Sequence, residues 1–194
     1  MRCCSGILSI LLVWFCVTAC LSDSNPKLNH QGLYTTEEVI AYVRDFPFTR
    51  ELKQWHIHHT WDPSYADFNG GNHAELQQEM WKFHVEQNGW DDIGQHLTLF
   101  PDGMWMLGRS LDKDPASIRG WNQGALAVEM VGNFDIGHDE MNELQKHAIY
   151  EMTRFMVREF QLEAVFHRDH PDVTKTCPGS GIDREQFMRE ALED

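Results

Sequence analysis

The chain of 194 residues is poor in cysteine, in positive charge and in long apolar runs. Of its five cysteines, Cys3, Cys4, Cys16 and Cys20 fall within the first 20 residues. Once that leader is removed only Cys177 remains, which excludes a fold stapled by internal disulfides. Sixteen Lys and Arg face thirty Asp and Glu, a formal net charge of −14. So acidic a surface repels phosphate backbones and argues against nucleic acid as a partner. The one strong apolar run, Ile7 to Val17, is too short to span a bilayer comfortably. No internal repeat or low-complexity stretch is found. The remaining length suits one domain large enough to bury a core without a metal or a disulfide.

The first 20 residues read as a signal peptide: Arg2 is their only charge, an apolar run follows, and small residues precede Cys20. A retained membrane anchor is the alternative. Val17-Thr18-Ala19-Cys20 resembles the lipobox of bacterial lipoproteins, which implies a lipid on Cys20. Residues 21–34, with Asn25-Pro26, read as a tether, and 35–194 as the domain. The expected location is exported, in the periplasm or at the outer membrane as a lipoprotein, or else secreted. Membrane contact is expected only through that lipid, and the protein is expected to be a monomer. A lone thiol in an oxidising compartment is either buried and inert or has its sulfur occupied. A metal at Cys177 would occupy it.

Within the domain, strand and helix patterns alternate. Thr35-Thr36-Glu37-Glu38 has the form of a capping box opening a helix to Arg44. A strand is expected over 55–60, a polar loop to 72 and a helix over 73–88 stopped by Gly89. Pro101-Asp102-Gly103 between Leu97–Phe100 and Met104–Leu107 has the pattern of a hairpin. The apolar strand 125–131 belongs in the middle of a sheet. A long helix over 139–160, a short strand over 164–167, a loop over 168–182 and a helix over 183–192 complete the pattern. The fold class is α/β, a single mixed β-sheet flanked by helices.

Chemistry is concentrated in three places. In His56-Ile57-His58-His59-Thr60, strand alternation puts His56, His58 and Thr60 on one face and His59 on the other. In the loop after the last strand, His167 precedes Cys177 by ten residues, with His170 as a rival to His167. One strand histidine, one loop histidine and Cys177 make a His₂Cys set, which on zinc leaves a fourth position open, as catalytic sites do. Third, Glu129 interrupts an otherwise apolar strand, where a carboxylate must pair or shift its pKa.

The segments His58-His59-Thr60, Gly89-Trp90-Asp91-Asp92-Ile93-Gly94-Gln95-His96, Gly132-Asn133-Phe134 and His167…Thr174-Lys175-Thr176-Cys177-Pro178-Gly179 occur in one order. Together they resemble the zinc-dependent N-acetylmuramoyl-L-alanine amidases related to peptidoglycan recognition proteins. The resemblance implies that family's fold, one Zn²⁺ held by His58, His167 and Cys177, and peptidoglycan or muropeptides as the partner. It implies hydrolysis of the amide between N-acetylmuramic acid and L-alanine of the stem peptide. Many members carry a catalytic Tyr where this chain has Gln95. Another branch uses a Glu on the strand that matches Ala127-Val128-Glu129, and its spacing and Lys match His167, Lys175 and Cys177, although its last ligand is usually Asp. The resemblance therefore gives Glu129 the general-base role and sets Lys175 against the developing oxyanion. Trp61, Tyr65 and Phe68 are candidates for a sugar-binding wall, and Arg109, Trp121 and Asn122 for contacts to the stem peptide. His84 and His96 are expected to back a ligand or to be structural rather than to bind the metal themselves. Two other functions stay open: a non-catalytic muropeptide-binding module, and a zinc hydrolase of a different amide.

Overall fold

A computed structural model describes residues 28–193. The expected signal peptide, Cys20 and residues 21–27 of the expected tether lie outside this range. Five strands form one sheet in the order β3-β2-β4-β1-β5. They are β1 (Gln54–His59), β2 (Leu97–Leu99), β3 (Trp105–Leu107), β4 (Ala125–Met130) and β5 (Glu163–Phe166). β4 is parallel to β1 and β2, β5 is parallel to β1, and only the β2–β3 hairpin is antiparallel. The strand expected at the centre, β4, is the central one, as its apolar run requires.

The two faces of the sheet differ because the strand residues alternate. Trp55 and Ile57, Leu97 and Leu99, Leu126, Val128 and Met130, and Ala164 and Phe166 all point into the main core. Apolar side chains of α1 (Thr36–Asp45), α3 (Glu143–Arg158) and α4 (Arg184–Leu192) complete it. The opposite face carries His56, His58, Thr98 and Glu129 among its residues, so it cannot bury as one apolar layer. A smaller cluster of Leu76, Met80, Ile93, Phe100, Met106 and Val131 covers part of it, with Leu76 and Met80 supplied by α2 (His73–Lys82). The remainder is free for chemistry. Because β1, β4 and β5 are parallel, the C-terminal ends of β1 and β5 lie side by side, the usual place for a ligand in such sheets.

Local signals explain most element boundaries. The Thr35 side chain accepts from Glu38 N and the Glu38 carboxylate accepts from Thr35 N at 2.9 Å, closing the expected capping box. The long helix begins at Glu143 rather than 139, since Asn142 caps it by accepting from Gln145 N at 3.0 Å. Asp139 is instead held in the preceding loop, where it accepts from the backbone N–H groups of Asn133 and Tyr65. The helix expected over 73–88 is α-helical to Lys82 and then widens into a π turn over Phe83–Gln87. The expected tether also needs correction at its end. Tyr34 exchanges both backbone hydrogen bonds with Trp105 at 2.9 Å, which lays residue 34 along the edge strand β3 and buries it.

Candidate metal centre

His58 lies near the C-terminal end of β1, His167 directly follows β5, and Cys177 returns on the loop beyond. Their ligand atoms all lie within 4.8 Å of one another. His58 and Cys177 are each 7% exposed, so a water-excluding wall surrounds two of the three. Cys177 Sγ lies 3.5 Å from His58 Nδ1. That is about the separation of a sulfur and a nitrogen bound at ~2.3 Å and ~2.0 Å to one tetrahedral zinc. The Nε2 atom of His58 is buried with no hydrogen-bond partner among the described residues. The donor set and its spacing fit zinc.

The charge state of the three groups is set by burial. Burial drives His58 well below the ordinary imidazole value, and burial with Lys175 nearby lowers His167 to about 4. Both imidazoles are neutral at pH 7, the form that can bind a metal ion. Burial pushes the Cys177 thiol up to about 12, opposed by the His59 backbone N–H and by Lys175. Without a cation the thiol keeps its proton, so metal capture must displace it.

Glu129 is the register partner of His58 on the neighbouring parallel strand, so both side chains leave the sheet on the same face. Glu129 is half-buried, and desolvation raises its pKa to about 7 while Lys175 pulls it down. Lys175 is exposed, yet its charge acts on Glu129, His58, His167 and Cys177 alike. On the other side of Glu129 stands Thr98, its register partner in β2. The Thr98 hydroxyl accepts from Gln95 Nε2 at 3.0 Å, and the side-chain Oε1 of Gln95 is buried with no partner among the described residues. Nothing in the sequence pointed to Thr98 or to its tie to Gln95; a threonine in a short apolar strand was the only trace.

The other candidates divide. Trp61 is 59% exposed immediately beyond β1, with Thr60 between, where it can face a ligand at the strand ends. Phe68 packs instead on the smaller core cluster, and the Tyr65 hydroxyl contacts Gln145. Arg109 is only 6% exposed and its guanidinium is engaged with the carbonyls of Asp92, Ile93 and Asp114 and with the Asp91 carboxylate. It staples loops rather than presenting a fork to a substrate. Asn122 likewise turns its oxygen inward, accepting from Ser117 N, Ser117 Oγ and Ile118 N. His170 does not join the cluster; its ring packs on Trp121, centroids 4.7 Å apart. His59 accepts from Phe134 N at 3.1 Å and holds the loop after β4. His84 and His96 are structural as expected, accepting from the backbone N–H groups of Gly94 and Ala127.

Residues 49–180 match the family model described as N-acetylmuramoyl-L-alanine amidase, a stretch that holds the whole cluster. The chain belongs to this family. Among its relatives, an N-acetylmuramoyl-L-alanine amidase of Sus scrofa is 32% identical over 88 residues, 45% of this chain but only 15% of the pig protein. An endolysin of Klebsiella phage KP32 is 30% identical over 111 residues, 55% of this chain and 72% of the endolysin. In fold, the family member resembles a point mutant of Drosophila PGRP-LB, solved in complex with tracheal cytotoxin, at TM-score 0.59 and 22% identity over 71% of this chain and 81% of that one. The mixed sheet of this amidase-family chain is thus the peptidoglycan-recognition-protein fold.

Proposed function

We propose that the protein is a zinc-dependent peptidoglycan amidase that hydrolyses the bond between N-acetylmuramic acid and the L-alanine of the stem peptide. The observation that carries this reading is the His58, His167 and Cys177 cluster with Glu129 in register beside His58. Held by the three side chains, a zinc ion would polarise the amide carbonyl and activate a water for attack. Glu129, with its pKa brought near 7, takes a proton from that water at its carboxylate and gives it to the leaving amine nitrogen. Lys175 supplies a fixed positive charge where negative charge develops on the carbonyl oxygen. Trp61 offers an exposed aromatic face for the sugar at the rim. We further propose that the protein is exported and carries a lipid on Cys20; Cys20→Ala then releases it from the membrane fraction, and an unchanged fraction contradicts this.

One observation favours a second reading. Gln95 occupies the position of the catalytic Tyr in many family members and is buried against Thr98, so it donates no proton to a substrate. If Glu129 does not replace that Tyr, the protein binds muropeptides without cutting them. Digestion of purified peptidoglycan with and without a zinc chelator separates the two. The amidase reading expects free stem peptides beginning at L-alanine, abolished by chelator. Tight muropeptide binding by zinc-loaded protein with no release supports the binding module.

A further inference from the structure

His167 and Cys177 are joined by a loop whose residues 171–176 are almost all exposed. Such a loop has little packing to fix the separation of its ends. The residue directly after His167 does so. The Arg168 backbone N–H donates to the Cys177 carbonyl at 2.9 Å. Its guanidinium Nη1 donates to the Thr176 carbonyl at 3.1 Å and to the Gly179 carbonyl at 2.6 Å, and Nη2 donates to the Ile182 carbonyl. One side chain therefore grips the chain on both sides of Cys177.

The root of the clamp is itself fixed. The guanidinium lies over the Phe166 ring, 5.0 Å from its centroid, and Phe166 is buried in the main core. Asp169 Oδ2 accepts from Phe166 N and from Arg184 Nε, each at 2.9 Å, closing the turn that holds His167. The far side of the loop is fitted against a second wall. A Cβ on Gly179 would meet the Phe134 backbone at 2.5 Å, and φ there is +126°. Only a glycine lets the loop lie that close while its carbonyl faces Arg168.

We propose that Arg168 is a positioning residue of the metal centre, fixing the Cys177 loop against His167 so that thiolate and imidazole meet one ion at ligand distance. The inference rests on the zinc reading above. A planar guanidinium carries five donors in a rigid fork spread over three nitrogens, whereas an ammonium presents three from a single nitrogen on a flexible stem. Loss of such an outer partner typically weakens metal binding about 10–100-fold.

The test compares Arg168→Met, Arg168→Lys and Arg184→Met with the wild type. Zinc affinity is read by competition with a chromophoric chelator, and the thiolate-to-metal absorption band is read after loading with Co²⁺. Arg184→Met is the structural control, since Arg184 braces the same turn through Asp169 and the Ala164 carbonyl without touching the Cys177 loop. The expected result is zinc binding weakened about 10–100-fold in Arg168→Met with a shifted or weakened cobalt band, and smaller losses in Arg168→Lys and in Arg184→Met. Wild-type affinity and band in Arg168→Met overturn the inference, as does an equal loss in Arg184→Met. Should Arg168→Met fail to fold, wild-type affinity in Arg168→Lys overturns it. Failure of the wild type to bind zinc overturns the amidase reading and this inference together. A zinc-binding, peptidoglycan-cleaving wild type with unaffected Arg168 variants overturns the inference alone.

Discussion

Glu129 stands beside His58, the two paired in register on adjacent parallel strands, so that a carboxyl group and a buried imidazole leave the sheet on one face. The arrangement is unfavourable for folding. Desolvation lifts Glu129 to about 7, above its ordinary 4.5. A group raised in the folded state contributes stability below its unfolded value and loses it as pH rises through the folded one. In the metal-free protein Glu129 therefore weakens the fold above pH 7. Glu129→Gln should stabilise metal-free protein at pH 8 by on the order of 2 kcal/mol and have little effect at pH 4. The same substitution should lower kcat by about 10²–10⁴. Denaturant unfolding at the two pH values and turnover of the zinc-loaded variant check both halves.

Zinc uptake should release at least one proton per site. At pH 8 His58 and His167 are neutral and Glu129 is ionised, so of the protein groups it is the Cys177 thiol, pushed up to about 12, that must lose a proton. Calorimetric titration in buffers of different ionisation enthalpy reads the number directly. A value of zero would mean that the thiol does not bind the ion as thiolate.

Replacing Lys175 by Met should reduce kcat by about 10²–10³ and change zinc affinity far less, since Lys175 is proposed to face the developing charge and contributes no atom to the ligand cluster. Zinc competition and steady-state kinetics on a soluble muropeptide give the two numbers. An unchanged kcat removes Lys175 from the mechanism.

The metal-free protein should be acid-labile. Burial lowers His56, His59, His84 and His167 to about 4 and His96 to about 3, from an ordinary 6.5. Groups depressed in the folded state give stability that is present above 6.5 and lost as pH falls toward their folded values. These five histidines and His58, which burial also lowers, act in this sense and Glu129 in the opposite one, so the midpoint of thermal unfolding should fall as pH drops from 6.5 to 4. A flat midpoint across that window contradicts the burial of these rings.

The sequence made the sheet and its polar face legible because alternation carries both: His56 and His58 share a face, and Glu129 breaks an apolar run. The choice of His58 over its neighbours came from family resemblance and matches the geometry. Arg109 and Asn122 misled because a loop arginine or asparagine looks the same in sequence whether it meets a ligand or its own backbone carbonyls and N–H groups. In the structure both are turned inward. The Arg168 clamp was illegible for a related reason: its partners are main-chain carbonyls, which leave no mark on the residue types around them. Tyr34 was placed in a tether because a single edge bridge to Trp105 has no periodicity to betray it.

The central claim is hydrolysis of one amide by this site, and oxygen labelling tests it most directly. Zinc-loaded protein is incubated with peptidoglycan in water enriched in ¹⁸O, and the products are read by mass spectrometry beside a Glu129→Gln control. The account predicts one ¹⁸O on the lactyl carboxylate of N-acetylmuramic acid, an unlabelled free amine on L-alanine, and neither product above background with Glu129→Gln. Label at any other bond, or equal release by the variant, would contradict it.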